Sequence, residues 1–574
     1  MRRSDALPAC TCAAAAAVAF FLTWPFAELP FNDDWSYAFT ARHLAQTGHL
    51  TYNGWATAAI IPQAYWGALI IRVFGFSFTA LRMGTLPFAM ASAAVCYLLA
   101  RRSGLSRKPA VFASLTLSLG PMFLPLATSF MTDVPGLMFM LLSLYALIRC
   151  GESTAPAGQL SWLATGALTA LLGGMDRQIV WIVPLAVVPY LMIVHRRSVR
   201  FLAAAGAAWI IVLLGAVATV RWFNAQPYAI PDPPLSQSLK MILQEPQRLW
   251  QTFFALWLTT SMLALPAMLL AGPVALGNLL ARWKGPRGLI ALVLILLTAS
   301  FLLRSPRFIE MPWLGTMLTP QGILGKFELL GRRPTVLPRW FRQGIGAVVW
   351  ILTAIILADR VGSLPHTREA FDRLRRRFAE MPLALPCIAI LAAAYTVILL
   401  SRTGRDLVFD RYALPLVPFL AIAMLLWWQN APLQAGMRRL TWRVAAVALG
   451  LYAVYAVAST QEVLALARAR VEAMRRLQAV GVPPTDVDDG VEQMAWTQLE
   501  VVGHINYPDI RNPPDAYHPG KGYTPCITPV FQVEASPDPR ASSILLGEVE
   551  YFSLLPPFHR QNYIYGAPPP ETSQ

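Results

Sequence analysis

The sequence predicts a mainly α fold: a polytopic transmembrane helix bundle of about 13 spans, with a small C-terminal mixed α/β domain outside the membrane. Three observations predict it. The 574 residues are 56% hydrophobic and 14% charged, against about 25% charged in soluble domains. Apolar runs recur as far as residue 459, close to the roughly 20 residues that cross a bilayer. The composition then changes, to a charged helical stretch over 461–480 followed by a tail rich in proline and polar residues.

The apolar segments are 9–31, 81–100, 109–127, 134–149, 160–174, 178–194, 201–223, 250–271, 288–303, 343–360, 384–401, 412–428 and 441–459. Lys and Arg in short loops set orientation. Arg2-Arg3, Arg101-Arg102, Arg196-Arg197 and Arg438-Arg439 fall on one side if the N-terminus is cytoplasmic. The expectation is a multi-pass protein of the inner (plasma) membrane, with residues 1–460 embedded. Residues 461–574 then form an external, periplasmic-side domain. Two outer loops, 304–342 and 402–411, are basic against the rule; an anionic ligand or a solvated surface accounts for them. In the first external loop, 32–80, residues 36–46 and 65–74 read as helices lying at the interface.

The net charge of +16 is not a nucleic-acid signal, because the basic residues serve as topology signals and no zinc-finger or aromatic-basic pattern occurs on a soluble segment. Six scattered cysteines make neither a metal spacing nor a disulfide framework. There is no nucleotide-cradling glycine loop, HExxH or GxSxG, and no internal repeat.

Ionisable groups at a membrane boundary are costly and carry a functional hypothesis. Asp33-Asp34 follow the first apolar segment directly. They either face a cavity as proton acceptors or cap the helix at 36–46. Asp133 stands on the same outer face and either caps the fourth span, with Pro135 in its first turn, or joins a site. Arg411 opens the twelfth span, where it binds an anion bidentately, pairs with Asp410, or reaches to the interface.

At these residues the chain resembles the GT-C membrane glycosyltransferases, in particular the family 39-like group of protein O-mannosyltransferases and the lipid A aminoarabinose transferase. The acidic pair with Tyr three residues on reads Asp33-Asp34-Trp35-Ser36-Tyr37; then come Pro62-Gln63-Ala64-Tyr65-Trp66, Met131-Thr132-Asp133-Val134-Pro135 and Arg411-Tyr412-Ala413-Leu414-Pro415. Asp34 stands where the family usually has Glu, and a Lys element of the family is replaced near Ile61-Pro62-Gln63. The resemblance implies a GT-C-like bundle that moves a sugar from a polyprenyl-phosphate donor to a lipid, glycan or protein acceptor at the external face. It implies Asp33 as general base, with Asp34 and Asp133 positioning it or the acceptor, or binding a divalent ion. Arg411, then Arg304 and Arg307, are implied for the donor phosphate, and Tyr37, Tyr65 and Tyr412 for substrate binding. No cofactor is required; a divalent metal is compatible with the acids. The competing readings are a transporter or lipid flippase with an external acidic site, and a membrane anchor presenting the C-terminal domain.

Overall fold

The computed structural model describes residues 3–231, 235–281, 286–325, 329–362, 380–403, 408–537 and 544–566. The bundle begins with α1 (Arg3–Leu22), followed in the first loop by α2 (Asp34–Thr47) and α3 (Ile61–Phe74). Then come α4 (Phe78–Arg102), α5 (Arg107–Ser118), α6 (Phe123–Ala127), α7 (Asp133–Glu152), α8 (Pro156–Asp176), α9 (Ile182–Val194) and α10 (Val199–Asn224). The second half holds α11 (Leu235–Gln244), α12 (Pro246–Leu263), α13 (Leu265–Ala281), α14 (Pro286–Arg304), α15 (Arg339–Gly362), α16 (Ala384–Ser401), α17 (Val417–Asn430) and α18 (Ala435–Ala479).

Helices stand at all thirteen expected segments. Among the described residues, eight are long and apolar enough to cross a membrane, or nine if one bent pair is a single span. Three segments are shorter or broken than expected, each at a proline. The first helix stops at Leu22 rather than 31, because Pro25 bars the helical conformation to Trp24, whose φ is 53°. Gly120-Pro121 divides 109–127 into α5 and α6. The segment 250–271 is two helices meeting at 96°, where Pro266 removes a backbone donor from the first turn of α13.

The expected boundary at 460 falls inside α18, which runs unbroken for 45 residues. At 1.5 Å per residue it is about 67 Å long, twice the hydrocarbon thickness of a bilayer. Its last turns bury Ala469, Ala473, Met474 and Leu477 against Val487, Val533, Val549 and Ile564. These belong to a four-stranded sheet of β3 (Val487–Asp488), β4 (Phe531–Glu534), β5 (Ile544–Phe552) and β6 (His559–Gly566), in the order β3-β4-β6-β5. The strands β1 (Leu318–Thr319) and β2 (Gly322–Ile323) pair separately, antiparallel, in the basic loop 304–342.

The C-terminal part clamps the first loop, residues 32–80. Its helix α19 (Val491–Val502) buries Ala495 and Leu499 beside Trp35. Arg42 lies 4.8 Å from the Trp496 ring centroid and 2.6 Å from the Glu500 carboxylate. The Glu492 carboxylate accepts a hydrogen bond from the Asn32 backbone N–H at 2.7 Å. At the other end of that loop Glu28, the one acid in 11–31, accepts from the Phe78 and Thr79 backbone N–H groups at the start of α4, satisfying donors a helix leaves open. Buried Arg82 donates to the carbonyls of Ala27 and Leu29. The chain entering Asp33 is thus held from both sides.

Three of the seven basic residues of the loop 304–342 are answered by acids of the chain itself. Glu462 is fully buried between Arg333 at 2.9 Å and Arg560 at 2.7 Å. Arg339 and Arg342 both pair with Glu310. Glu310 belongs to the loop itself, whereas Glu462 comes from α18.

Candidate active site

Asp33 and Asp34 separate by role. Asn32, in the left-handed region at φ 54°, turns the chain so that Asp33 occupies the residue before α2, yet its side chain makes no capping bond. Its Oδ1 instead accepts from the Trp55 indole N–H at 3.1 Å, and its Oδ2 from Arg411 Nη2 at 3.0 Å. Asp34 is 1% exposed and faces inward. Its carboxylate accepts from the backbone N–H groups of Phe31 at 2.6 Å and Phe130 at 3.0 Å. Burial pushes its pKa up to about 7, against the pull of the Arg82 guanidinium. Asp34 therefore ties the loop before Asp33 to the loop before Asp133 and offers nothing to the cavity.

Asp133 opens α7 but its oxygens make no capping bond. Arg177 Nη2 lies 2.9 Å from its Oδ1. The alignment falls short of a hydrogen bond, and both buried oxygens remain without one. Arg177 reaches there past Gly136, where a Cβ would come within 2.9 Å of its side chain. Its Nη1 also donates to the Thr132 hydroxyl at 3.1 Å.

Arg411 sits in a 3-10 turn over Asp410–Leu416 that leads into α17. Asp410 does not hold its guanidinium. Instead the Asp410 carboxylate accepts from the backbone N–H groups of Met317 and Leu318 and from the Thr316 hydroxyl, fixing the turn to the outer loop. Arg411 is left to reach Asp33, lying 5.0 Å from the Phe409 ring centroid. Its Nε is buried without a hydrogen-bond partner.

These groups meet in a cavity of about 130 Å³ whose lining includes Tyr37, Asp133, Arg177, Arg402, Arg411 and Tyr412. Tyr395 adds a third phenol, its hydroxyl donating to the Tyr412 carbonyl at 2.8 Å. Burial, then the Asp33 charge, raises the Tyr37 pKa, keeping it a neutral donor. Asp33 adjoins this cavity through Arg411. Arg411 and Arg177 each face one carboxylate, Asp33 and Asp133 in turn, and guanidiniums grouped in this way are the side chains that bind phosphate. A second cavity of about 640 Å³, with Trp313, Leu324, Val408 and Phe409 in its wall, lies beside the same turn.

Not every expected residue is here. Tyr65 is 57% exposed on α3 and Arg304 is exposed at the end of α14; neither lines the cavity. The side chain of Arg307 falls outside the described residues. Arg177, Tyr395 and Arg402 were not singled out from sequence. A signal for Arg177 existed: it stands between two apolar segments, in a turn that the expected orientation puts on the same side as Arg411, where both are exceptions to the topology rule. Among the described residues no group of three or more His, Cys, Asp or Glu is placed to hold a metal.

Residues 62–222 match the family described as dolichyl-phosphate-mannose-protein mannosyltransferase, which lies within the group that the motifs resemble. The matched segment holds Asp133 and Arg177; Asp33 and Arg411 lie outside it. No curated protein matches the chain. Among solved structures, the chain is 14% identical to the S. cerevisiae protein O-mannosyltransferase Pmt1-Pmt2 complex bound to the sugar donor. That alignment covers 39% of this chain and 34% of the yeast chain, with a TM-score of 0.33. It is also 14% identical to ArnT from Cupriavidus metallidurans bound to undecaprenyl phosphate, over 96% of each chain, with a TM-score of 0.45. The apo state of that ArnT gives 14% identity over 97% and 98%, with the same score. Likenesses this loose transfer no residue roles.

Proposed function

We propose that this multi-pass membrane protein is a glycosyltransferase of the GT-C type, moving a sugar from a polyprenyl-phosphate donor to an acceptor at the external face. The observation that carries this reading is a pocket at one end of an apolar bundle, in which Asp133, Arg177, Arg402 and Arg411 stand together and which Asp33 adjoins through Arg411. The family match over 62–222 supports the reaction class.

In this reading the donor phosphate enters among the arginines that line the cavity. An acceptor hydroxyl then attacks the anomeric carbon. Its proton passes to the Asp33 carboxylate while the bond from that carbon to the phosphate oxygen breaks. The electron pair leaves on a phosphate already charged, so the site needs fixed cations more than a strong acid. Asp133 holds Arg177 in place, and the neutral phenol of Tyr37 is available to orient sugar or acceptor. Asp34 acts at a distance, fixing the loop that carries Asp33.

The test is lipid and glycan mass spectrometry on membranes from a strain lacking the protein, complemented by wild type or by Asp33→Asn. A sugar present with wild type and absent with the variant, at equal protein level, supports the assignment. Full restoration by Asp33→Asn would end the base role, and an unchanged envelope on deletion would end the transferase reading.

A further inference from the structure

The acidic end is not the one place with a sizeable cavity. At the opposite end of the bundle, where α5 starts and α17 passes into α18, lies a cavity of about 730 Å³. Its wall carries Arg107, Lys108, Arg439, Arg443, Trp428 and Trp442, with no acidic residue among the described residues. The acids nearby in sequence are already engaged: Asp5 pairs with Arg101, and Glu152 with Arg102 and Arg149. Arg107, Lys108, Arg439 and Arg443 are all exposed and make no ion pair among the described residues.

The rest of the cavity is built firmly. Arg438 donates to the carbonyls of Gln429 and Ala431 and lies 5.0 Å from the Trp428 ring centroid. The Trp428 indole N–H donates to Thr441 at 3.0 Å, and the Trp428 and Trp442 rings lie 5.4 Å apart. The Gln429 amide bonds to the Ser106 N–H and the Gly104 carbonyl, fastening α17 to the turn before α5.

The surroundings say which anion fits. Leu440, Val444, Val447, Leu451 and Val454 are 46–67% exposed along one face of α18, at the spacing of a continuous helical stripe. That stripe leads from the cavity into the membrane-crossing part of the helix. Indoles at a helix end are also the mark of the membrane interface. A free phosphate would fill a fraction of the space and leave the stripe unused. We propose that this cavity binds the phosphodiester headgroup of an anionic phospholipid from the leaflet at that end, with its acyl chains along the α18 stripe. Basic pockets between helices at a membrane surface hold such headgroups. The site is independent of the transferase reading.

The test is a thermal-melt and native-mass titration of the full-length protein in detergent, with dioleoyl phosphatidylglycerol, dioleoyl phosphatidylcholine or inorganic phosphate. The wild type should gain melting temperature with phosphatidylglycerol and not with the other two. Lys108→Gln/Arg439→Gln/Arg443→Gln should weaken the phosphatidylglycerol response roughly 100-fold, since each surface charge is worth several-fold. Arg332→Gln, at the other end, should respond as wild type. Arg439→Gln and Arg443→Gln singly, expected to lose several-fold each, carry the test if the triple variant does not fold. An equal response to phosphatidylcholine, or an equal response to inorganic phosphate, would overturn the lipid assignment. So would undiminished phosphatidylglycerol binding by the basic-residue variants.

Discussion

Two arginine–carboxylate clusters lie on the same side of this molecule and behave differently. In the first, Glu462 sits between Arg333 and Arg560 with 0–4% side-chain exposure, and carbonyls of Ile323, Leu324 and Pro556 take the remaining donors. In the second, Asp33–Arg411 and Asp133–Arg177 are 2–20% exposed, face a cavity, and leave Arg411 Nε and both Asp133 oxygens without hydrogen bonds. The chemical groups are the same. A buried charge left short of partners is expensive, so a fully answered cluster reads as a fastening and an incompletely answered one as a place awaiting a ligand.

The contrast can be broken by substitution. Glu462→Ala strands two buried guanidiniums, which costs about 3–5 kcal/mol when one partner of such a pair is lost. Membrane accumulation and melting temperature should fall sharply. Asp33→Asn should instead keep the wild-type melting temperature within a few degrees and lose about 10²–10⁴-fold in transfer rate, as the loss of a general base does. If both variants lose stability alike, the distinction between the clusters fails. Arg411→Gln should cost about 10²–10³-fold in donor turnover, the scale of removing one donor to developing charge, with acceptor KM unchanged. A matching defect in acceptor KM would move Arg411 away from the phosphate.

A subtler effect concerns Asp34. Its pKa is about 7 in the folded protein and near 3.9 when unfolded. Between these values the folded state holds a proton that the unfolded state releases, so this group's contribution to stability falls as pH rises from about 4 to about 7. Asp34→Asn should flatten the melting-temperature profile over that window. An unchanged slope would show that Asp34 titrates elsewhere.

Much of the bundle was readable because apolar runs have the length of a helix that crosses lipid. The errors cluster where a proline within or beside the run overrides its hydrophobicity, at Pro25, Pro121 and Pro266. The site was half readable. Asp33 and Arg411 announce themselves as charges where lipid ends, and their partnership spans 378 residues, which no local pattern displays. Arg177 carried the same signal in a turn too short to look like a loop. Tyr65 stood inside a matched motif, yet the helical phase of α3 turns it outward. In the basic loop 304–342 the pairing of Arg339 and Arg342 with Glu310 is local, but Arg333 meets Glu462 on α18, an acid it shares with Arg560 on a distant strand, and no local pattern displays that.

The unbroken length of α18 has a mechanical consequence. The helix carries the basic aromatic cavity at its foot and anchors the C-terminal sheet at its head, with no hinge at either membrane surface. It is a mast stepped in one leaflet and rigged at the top to the loop that holds Asp33, through Arg470 and Glu492. On a lever about 67 Å long, each degree of tilt about its foot carries the head roughly 1 Å sideways. Any tilt of that helix is therefore passed on to the loop that carries Asp33.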